Sequence, residues 1–511
     1  MKNKLFILIV GLIFLVGGCI NPGSPAKPNG TNTTSTNITT INITTNISTN
    51  TTIVSASEAH FRKGPYLMLT GESTSMIVLW QTTATPNEAI IEWGTDKNYS
   101  LGKAKVEETD NGKNGHQFVY KIENLQPDSL IYYKVTVDGE AFEASFKTAP
   151  KEDDTNLTFY AYGDTRTHPE IHDAVCAQVV RAVEENPQET QTFIIHGGDF
   201  VTYGLSEESW DNEYFNRTYP NTIKMLASIP VVGALGNHEN YPAGESEADK
   251  QHLGELFRKY WPNPFFEKPK NFYYSFDYGP VHFIAIDQYT TDYGKGSEQY
   301  SWVENELKNT DKKWKIVFFH QPGWTSSEKA YSTHHDKIMI EDYTPLFERE
   351  NVKLVIQSHN HFYARNLVNG TQYLTLGGGG AELNEPYPES DYLVKVLKEY
   401  HFGKFEINGD NMYVEIINEN GEVIDSFSVS VAPETEIEKV AKSFCGKENV
   451  AKVYVCEPYV KVVNKLPGAG STFYDKNGTK VAFCPAVAPE AMSEECRLLL
   501  FGNNCIEKEI C

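Results

Sequence analysis

Leu157-Thr-Phe-Tyr-Ala-Tyr-Gly-Asp-Thr-Arg166 decides how the chain is read. A β-forming run ends at Tyr162, and Gly163-Asp164 then supplies a turn residue and a carboxylate. The same pattern recurs four times downstream. Thr192-Phe-Ile-Ile-His196 leads into Gly197-Gly198-Asp199, and Ile229-Pro-Val-Val-Gly-Ala-Leu235 into Gly236-Asn237-His238-Glu239. Lys315-Ile-Val-Phe-Phe319 leads into His320, and Val352-Lys-Leu-Val-Ile356 toward Ser358-His359-Asn360-His361. Amphipathic stretches at Ile171–Glu185, Lys250–Tyr260 and Tyr300–Asn309 separate the runs. Strand–helix alternation predicts a layered α/β domain over 151–430. In such sheets ligands bind beyond the carboxyl ends of the strands. Five strand ends therefore bring two carboxylates, an amide and several imidazoles to one edge.

Those residue types are hard to borderline donors that suit two ions such as Fe, Zn or Mn. Two ions about 3.5–4 Å apart can activate a shared water and clamp an in-line displacement at phosphorus. Each motif alone is weak, since a Gly-Asp after a strand is usually a turn. The ordered set, each member on a separate strand end, is specific.

Working outward, residues 57–150 alternate with period two, as in Ser75–Trp80, Gln117–Lys121 and Leu130–Val137, with turn clusters between. This predicts a small β-sandwich, with Trp80 and Trp93 in its core. Residues 1–19 pair a basic tip with an apolar run of about 14 and end Val16-Gly-Gly-Cys19, the pattern of a lipoprotein-type signal peptide; an uncleaved anchor is the rival. Residues 20–56 carry six Asn-x-Ser/Thr sites in an Asn/Thr-rich stretch that cannot bury a core, hence a disordered stalk. Of eight cysteines, Cys445, Cys456, Cys484, Cys496, Cys505 and Cys511 fall within 431–511, which predicts a small disulfide-rich domain; Cys176 reads as a buried apolar residue. The net charge of −23 over 511 residues excludes a general nucleic-acid platform and leaves the N-terminal lipid or anchor as the membrane contact.

Residues 156–425 resemble the calcineurin-like metallophosphoesterases. With the sandwich, residues 57–425 resemble the purple acid phosphatase branch, whose N-terminal domain is fibronectin type III-like. Tyr273–Asp287 is similar to that family's central hairpin. The resemblance implies an αββα four-layer fold and hydrolysis of a phosphate-ester small molecule by a metal-activated hydroxide. It implies Asp164 and His361 on the first ion, Asp199 bridging, and Asn237, His320 and His359 on the second. His238 is then the catalytic acid or charge stabiliser, oriented by Glu239, and Arg365 is a support.

Two departures stand out. Arg166 occupies the position where the wider family often has His, and is free to bind the phosphate as a fork. The purple branch has Gly-Asp-x-x-Tyr, whereas Tyr203 comes one residue late. Tyr203, His172 and His168 are thus candidate extra ligands of the first ion; the plainer alternative pairs Arg166 with a carboxylate and leaves His172 to cap or pack. His334-His335 reads as a solvated loop, and Gly377–Gly380 as a tight turn. The reading is an exported, surface-tethered dinuclear phosphoesterase, extracellular, with an unidentified partner for 431–511. The rival is a surface binding protein with a degenerate phosphoesterase domain.

Overall fold

The structure, a computed structural model, describes residues 59–111, 115–242, 252–266, 268, 271–326, 335–387, 391–432, 440, 443–444, 450–456, 459–464, 470–484 and 508–509. The signal peptide, the stalk and His334 lie outside the described residues.

Period-two patterning gives the first body its two antiparallel sheets. One runs Phe61–Met68, Met76–Thr82, His116–Ile122, Asp110–Asn111, and the other Gly102–Lys105, Ala89–Gly94, Leu130–Val137, Glu140–Lys147. Alternate residues face inward, so Trp80 stacks on Phe118 at 5.3 Å and is fully buried, while Trp93 packs at the margin against Tyr120. The sandwich is tied to the α/β body: Tyr133 Oη donates to Ala227 O at 2.7 Å, Tyr66 Oη to Tyr260 O at 2.9 Å, and the buried Lys63 ammonium pairs with Asp211.

This second body has four layers. Its six-stranded sheet runs Val231–Gly233, Ile194–His196, Asn156–Tyr162, His401–Asn408, Asn411–Asn418, Val423–Ser430. The first three strands are parallel and the last three join antiparallel. A seven-stranded sheet runs Tyr274–Tyr278, Val281–Ala285, Trp314–Phe318, Leu354–Gln357, Thr371–Leu376, Tyr363–Val368, Leu393–Leu397. The sheets meet face to face through a phenylalanine core, with Phe159 stacked on Phe405 at 4.6 Å and edge-on to Phe283 at 5.4 Å. Pro169–Glu185 and Pro220–Ser228 cover the outer face of the first sheet, and Glu298–Asn309 and Thr344–Arg349 that of the second. Proline at the first turn favours three of these helices, because its missing N–H costs nothing there. The Lys250–Tyr260 stretch narrows to a helix at Glu255–Tyr260, preceded by Gly254 at φ 63°.

The parallel strands deliver the site. Asn156–Tyr162, Ile194–His196 and Val231–Gly233 end beside one another in the first sheet, and Trp314–Phe318 and Leu354–Gln357 in the second. Near the C-terminus, an antiparallel sheet of Lys480–Cys484, Ser471–Tyr474, Tyr459–Asn464, Val450–Cys456 and Lys508–Glu509 packs over Val453, Val462 and Phe473. Cys484 is disulfide-bonded; Cys445, Cys496, Cys505 and Cys511 lie outside the described residues. Cys176 is a buried free thiol, as its apolar neighbours in the sequence predict.

Candidate metal centre

Each strand end turns sharply, and the turns interlock. Asp164 N donates to Gly198 O at 2.9 Å and Thr165 N to Asp199 O at 3.0 Å, which binds the first two loops together. Gly198 sits at φ 96°, and a Cβ there would meet Gly236 N and His320 Nδ1, each at 2.7 Å, so only glycine lets these loops close on one another. Asp164 (φ 59°), Asp199 (φ 59°) and His359 (φ 66°) all hold left-handed backbone, which aims their side chains inward.

Two groups of donor atoms result. Asp199, His320 and His359 bring ligand atoms within 4.8 Å of one another, and so do Asp164, Asp199 and His361. Asp199 belongs to both. Its Oδ1 lies 3.3 Å from His320 Nε2, and its Oδ2 faces the other side. Asn237 Oδ1 completes the first-named group, 3.1 Å from both His320 Nε2 and His359 Nδ1.

The hydrogen bonds around the ligands fix which atoms face inward. His320 Nδ1 donates to Gly197 O at 2.7 Å, which turns Nε2 toward the cluster. His361 Nδ1 donates to Glu382 O at 2.7 Å, which turns its Nε2 inward likewise. Asn237 Nδ2 donates to Tyr241 Oη at 3.1 Å, so the amide oxygen points in. Asp164 Oδ1 is buried without a hydrogen-bond partner, 3.4 Å from His361 Nε2. Oxygen and nitrogen atoms converging in this way are what a cation requires, and the residues present fit a pair of ions. Burial disfavours a charged His320, but Asp199 beside it prevails and lifts it to about 9. Burial works against a charged Asp199, but His320, with His238 and Arg166 beyond it, holds the carboxyl well below the usual range.

His238 stands at the edge of this cluster. Its Nδ1–H donates to Thr202 O at 2.7 Å, and its Nε2 lies 3.8 Å from Asp199 Oδ2. Burial lowers its pKa. Tyr241, 42% exposed, packs against its ring at 4.7 Å.

Glu239, His172 and His168 make other contacts than expected. Glu239 does not orient the His238 ring; that falls to the Thr202 carbonyl. Its buried carboxylate accepts backbone N–H bonds from Asp199 (2.9 Å), Phe200 (2.8 Å) and Gly236 (2.7 Å), stitching two ligand loops together. Burial lifts it to about 7. Tyr203 is 40% exposed, the extra residue turning its side chain toward the surface. His172 belongs to neither ligand group. Only 1% exposed, it bonds Tyr162 Oη at 3.2 Å and stacks on Tyr214, and burial lowers it to about 3. His168 precedes that helix and pairs with Glu170. Arg166, which the plainer alternative pairs with a carboxylate, has its Nε 3.5 Å from Asp199 Oδ2 and its Nη2 3.3 Å from His361 Nε2.

The support residues are clear. Tyr363 and Arg365 both bond Asp425, tying the second sheet to the first. His196, which no sequence motif singles out, accepts from Gly198 N at 3.2 Å and bonds Thr165 Oγ1 at 3.1 Å, bridging both aspartate loops. Gly377 packs so closely that a Cβ would lie 2.2 Å from Asn360 O, which makes the four-glycine turn a matter of fit against the site.

Comparison with known proteins agrees with this geometry. Residues 157–363 match the calcineurin-like phosphoesterase family, and residues 63–148 match the purple acid phosphatase N-terminal domain. The chain is 28% identical over 367 residues to purple acid phosphatase 18 of Arabidopsis thaliana, covering 67% of this chain and 77% of that protein. It is 26% identical over 364 residues to a purple acid phosphatase of Glycine max, covering 64% and 75%. In fold it is similar to purple acid phosphatase PPD1 from yellow lupin seeds (TM-score 0.58, 22% identity, 73% of this chain and 77% of that one).

Proposed function

Since the chain is a metal-dependent phosphoesterase with a calcineurin-like phosphoesterase domain behind a purple acid phosphatase N-terminal domain, we propose that it hydrolyses small extracellular phosphate esters at a centre for two ions of Fe, Zn or Mn. The observation that carries the proposal is the sharing of Asp199 between two donor groups. Asp164, Asp199 and His361 would hold one ion, and Asp199, Asn237, His320 and His359 the other. When bound, the ions would acidify a water between them and draw charge from the phosphoryl oxygens.

The chain's own residues do the rest. Thr202 O fixes the His238 ring, so Nε2 faces the site and, when protonated, can hand its proton to the leaving oxygen. The lowered pKa of His238 makes it a readier donor once it is charged, which suits hydrolysis in acid. Arg166 lies close enough to turn its fork onto the phosphate. Glu239 is a positioning residue, holding Asp199 and the Gly236–His238 turn in register.

The lipobox-like Val16–Cys19 supports tethering at the cell surface by an N-terminal lipid, and the clustered cysteines support further bridges in 431–511. The degenerate reading draws its support from Tyr203 and Arg166. Elemental analysis of the full chain, with p-nitrophenyl and bis-p-nitrophenyl phosphate as substrates, separates the two. About two ions per chain, with hydrolysis that Asp199→Asn and His238→Ala each suppress by roughly 10²-fold or more, is the expected result. Folded protein that takes up no metal and turns over neither ester would overturn the proposal.

A further inference from the structure

The two donor groups are not equivalent. Asp199 gives one oxygen to each: Oδ1 faces His320, while Oδ2 faces Arg166. The other contacts of Arg166 are to His361 Nε2 at 3.3 Å and Thr167 Oγ1 at 3.2 Å. Because His361 Nδ1 already donates to Glu382 O, its Nε2 has one lone pair, and Arg166 Nη2 donates to it. That lone pair is the one an ion beside Asp164 needs. The guanidinium, with its side chain 19% exposed, cannot lose its charge to make way. Every contact Arg166 makes with the donor set falls on the Asp164 half.

We propose that Arg166 is a built-in competitor for the half-site formed by Asp164, Asp199 and His361, and that it makes this half the weaker of the two. The inference rests on the two-ion reading above. An ion at the Asp199–Asn237–His320–His359 half displaces no guanidinium, so that half fills first. An ion at the Asp164 half must expel a cation from His361 and Asp199 Oδ2. The expelled guanidinium is then free for an anion. Coupling of this kind is reciprocal: a phosphate that draws Arg166 outward raises ion affinity at the Asp164 half, and an ion there raises affinity for phosphate. Substrate and second ion would thus assemble together.

The test is a Mn²⁺ titration of the metal-stripped full chain, with free Mn²⁺ read by electron paramagnetic resonance, with and without inorganic phosphate. The native chain should bind one ion tightly and a second at least about tenfold more weakly, the scale of losing one charge-assisted hydrogen bond. Phosphate should tighten the second step. In Arg166→Gln the second step should approach the first, the first should be unchanged, and the effect of phosphate should vanish. Arg166→Lys, which keeps the charge but not the fork, should fall between, and it serves if the glutamine variant does not fold. Asp164→Asn should remove the weak step alone. Identical stepwise constants in native, Gln and Lys chains, or a native chain with two equally tight sites and normal hydrolysis, would overturn the competitor role and leave the phosphoesterase reading standing. No Mn²⁺ binding and no hydrolysis in any chain would overturn both.

Discussion

Glu239→Gln is the sharpest test of how the site is held. The native carboxylate accepts two N–H bonds at Oε2, from Asp199 and Gly236, and one at Oε1, from Phe200. An amide has a single acceptor oxygen. If that oxygen keeps the Oε2 place, the new NH2 group opposes the Phe200 N–H across a distance that was 2.8 Å. One charge-assisted bond is lost, at about 1.5–3 kcal/mol, and two buried donors face each other, at about 1–3 kcal/mol more. The local cost is therefore roughly 3–5 kcal/mol, enough to speed local opening by more than about 10²-fold. Hydrogen exchange read by mass spectrometry on peptides covering residues 197–204 and 234–242 measures this directly. The expected result is exchange at Asp199, Phe200 and Gly236 faster by that factor, with the 61–147 strands unchanged. Exchange within about threefold of the native rate would refute the claim that Glu239 clamps the two loops.

Tyr241→Phe removes the acceptor that fixes the Asn237 amide, so the first Mn²⁺ equivalent should weaken by about 10–100-fold; an unchanged first step would show that the amide is oriented by other means. His172→Phe bears on acid stability. Folded His172 sits near 3 because burial disfavours its charge, whereas an unfolded histidine titrates near 6.5. The unfolded chain thus binds the extra proton, and stability falls as pH drops below about 6.5, by about 2 kcal/mol at pH 5. The variant loses the bond to Tyr162, about 1 kcal/mol, at pH 7. Calorimetry at both pH values should show the variant less stable at pH 7 and at least equal to the native chain at pH 5.

The parts of this molecule that sequence makes visible are those in which residue type and periodicity carry the message. Runs such as Leu157–Tyr162 and Thr192–His196 announce strands, and the Asp, Asn and His residues after them announce the donor set. The strand Phe61–Met68 is not evident, because Gly64-Pro65 interrupts its alternation. Neither is the five-stranded C-terminal sheet, where the cysteines draw the eye from the pattern in Val450–Asn464. Within the site the failures share a cause: direction is not written in adjacency. Glu239 follows His238, yet on a tight turn the two point to different partners. Tyr203 is one residue out of place, and its side chain is part-exposed at the surface. His172 lies on the inward face of a helix and meets Tyr162 on the preceding strand and Tyr214 well downstream, contacts that adjacency does not announce. Thr202 contributes a carbonyl, and no side-chain motif can signal a backbone atom.

The left-handed backbone at Asp164, Asp199 and His359 has a consequence for how such a chain ages. Each such residue costs about 1–2 kcal/mol that glycine would not. Replacement by glycine at any of the three would relax the loop while removing a donor. A lineage released from the need for the donors would therefore drift downhill toward glycine at these positions, gaining stability as it lost chemistry. Asparagine would offer only a halfway stop, keeping an oxygen and shedding the charge. Asp, Asp and His at φ 59°, 59° and 66° thus carry donor chemistry at a cost in backbone stability.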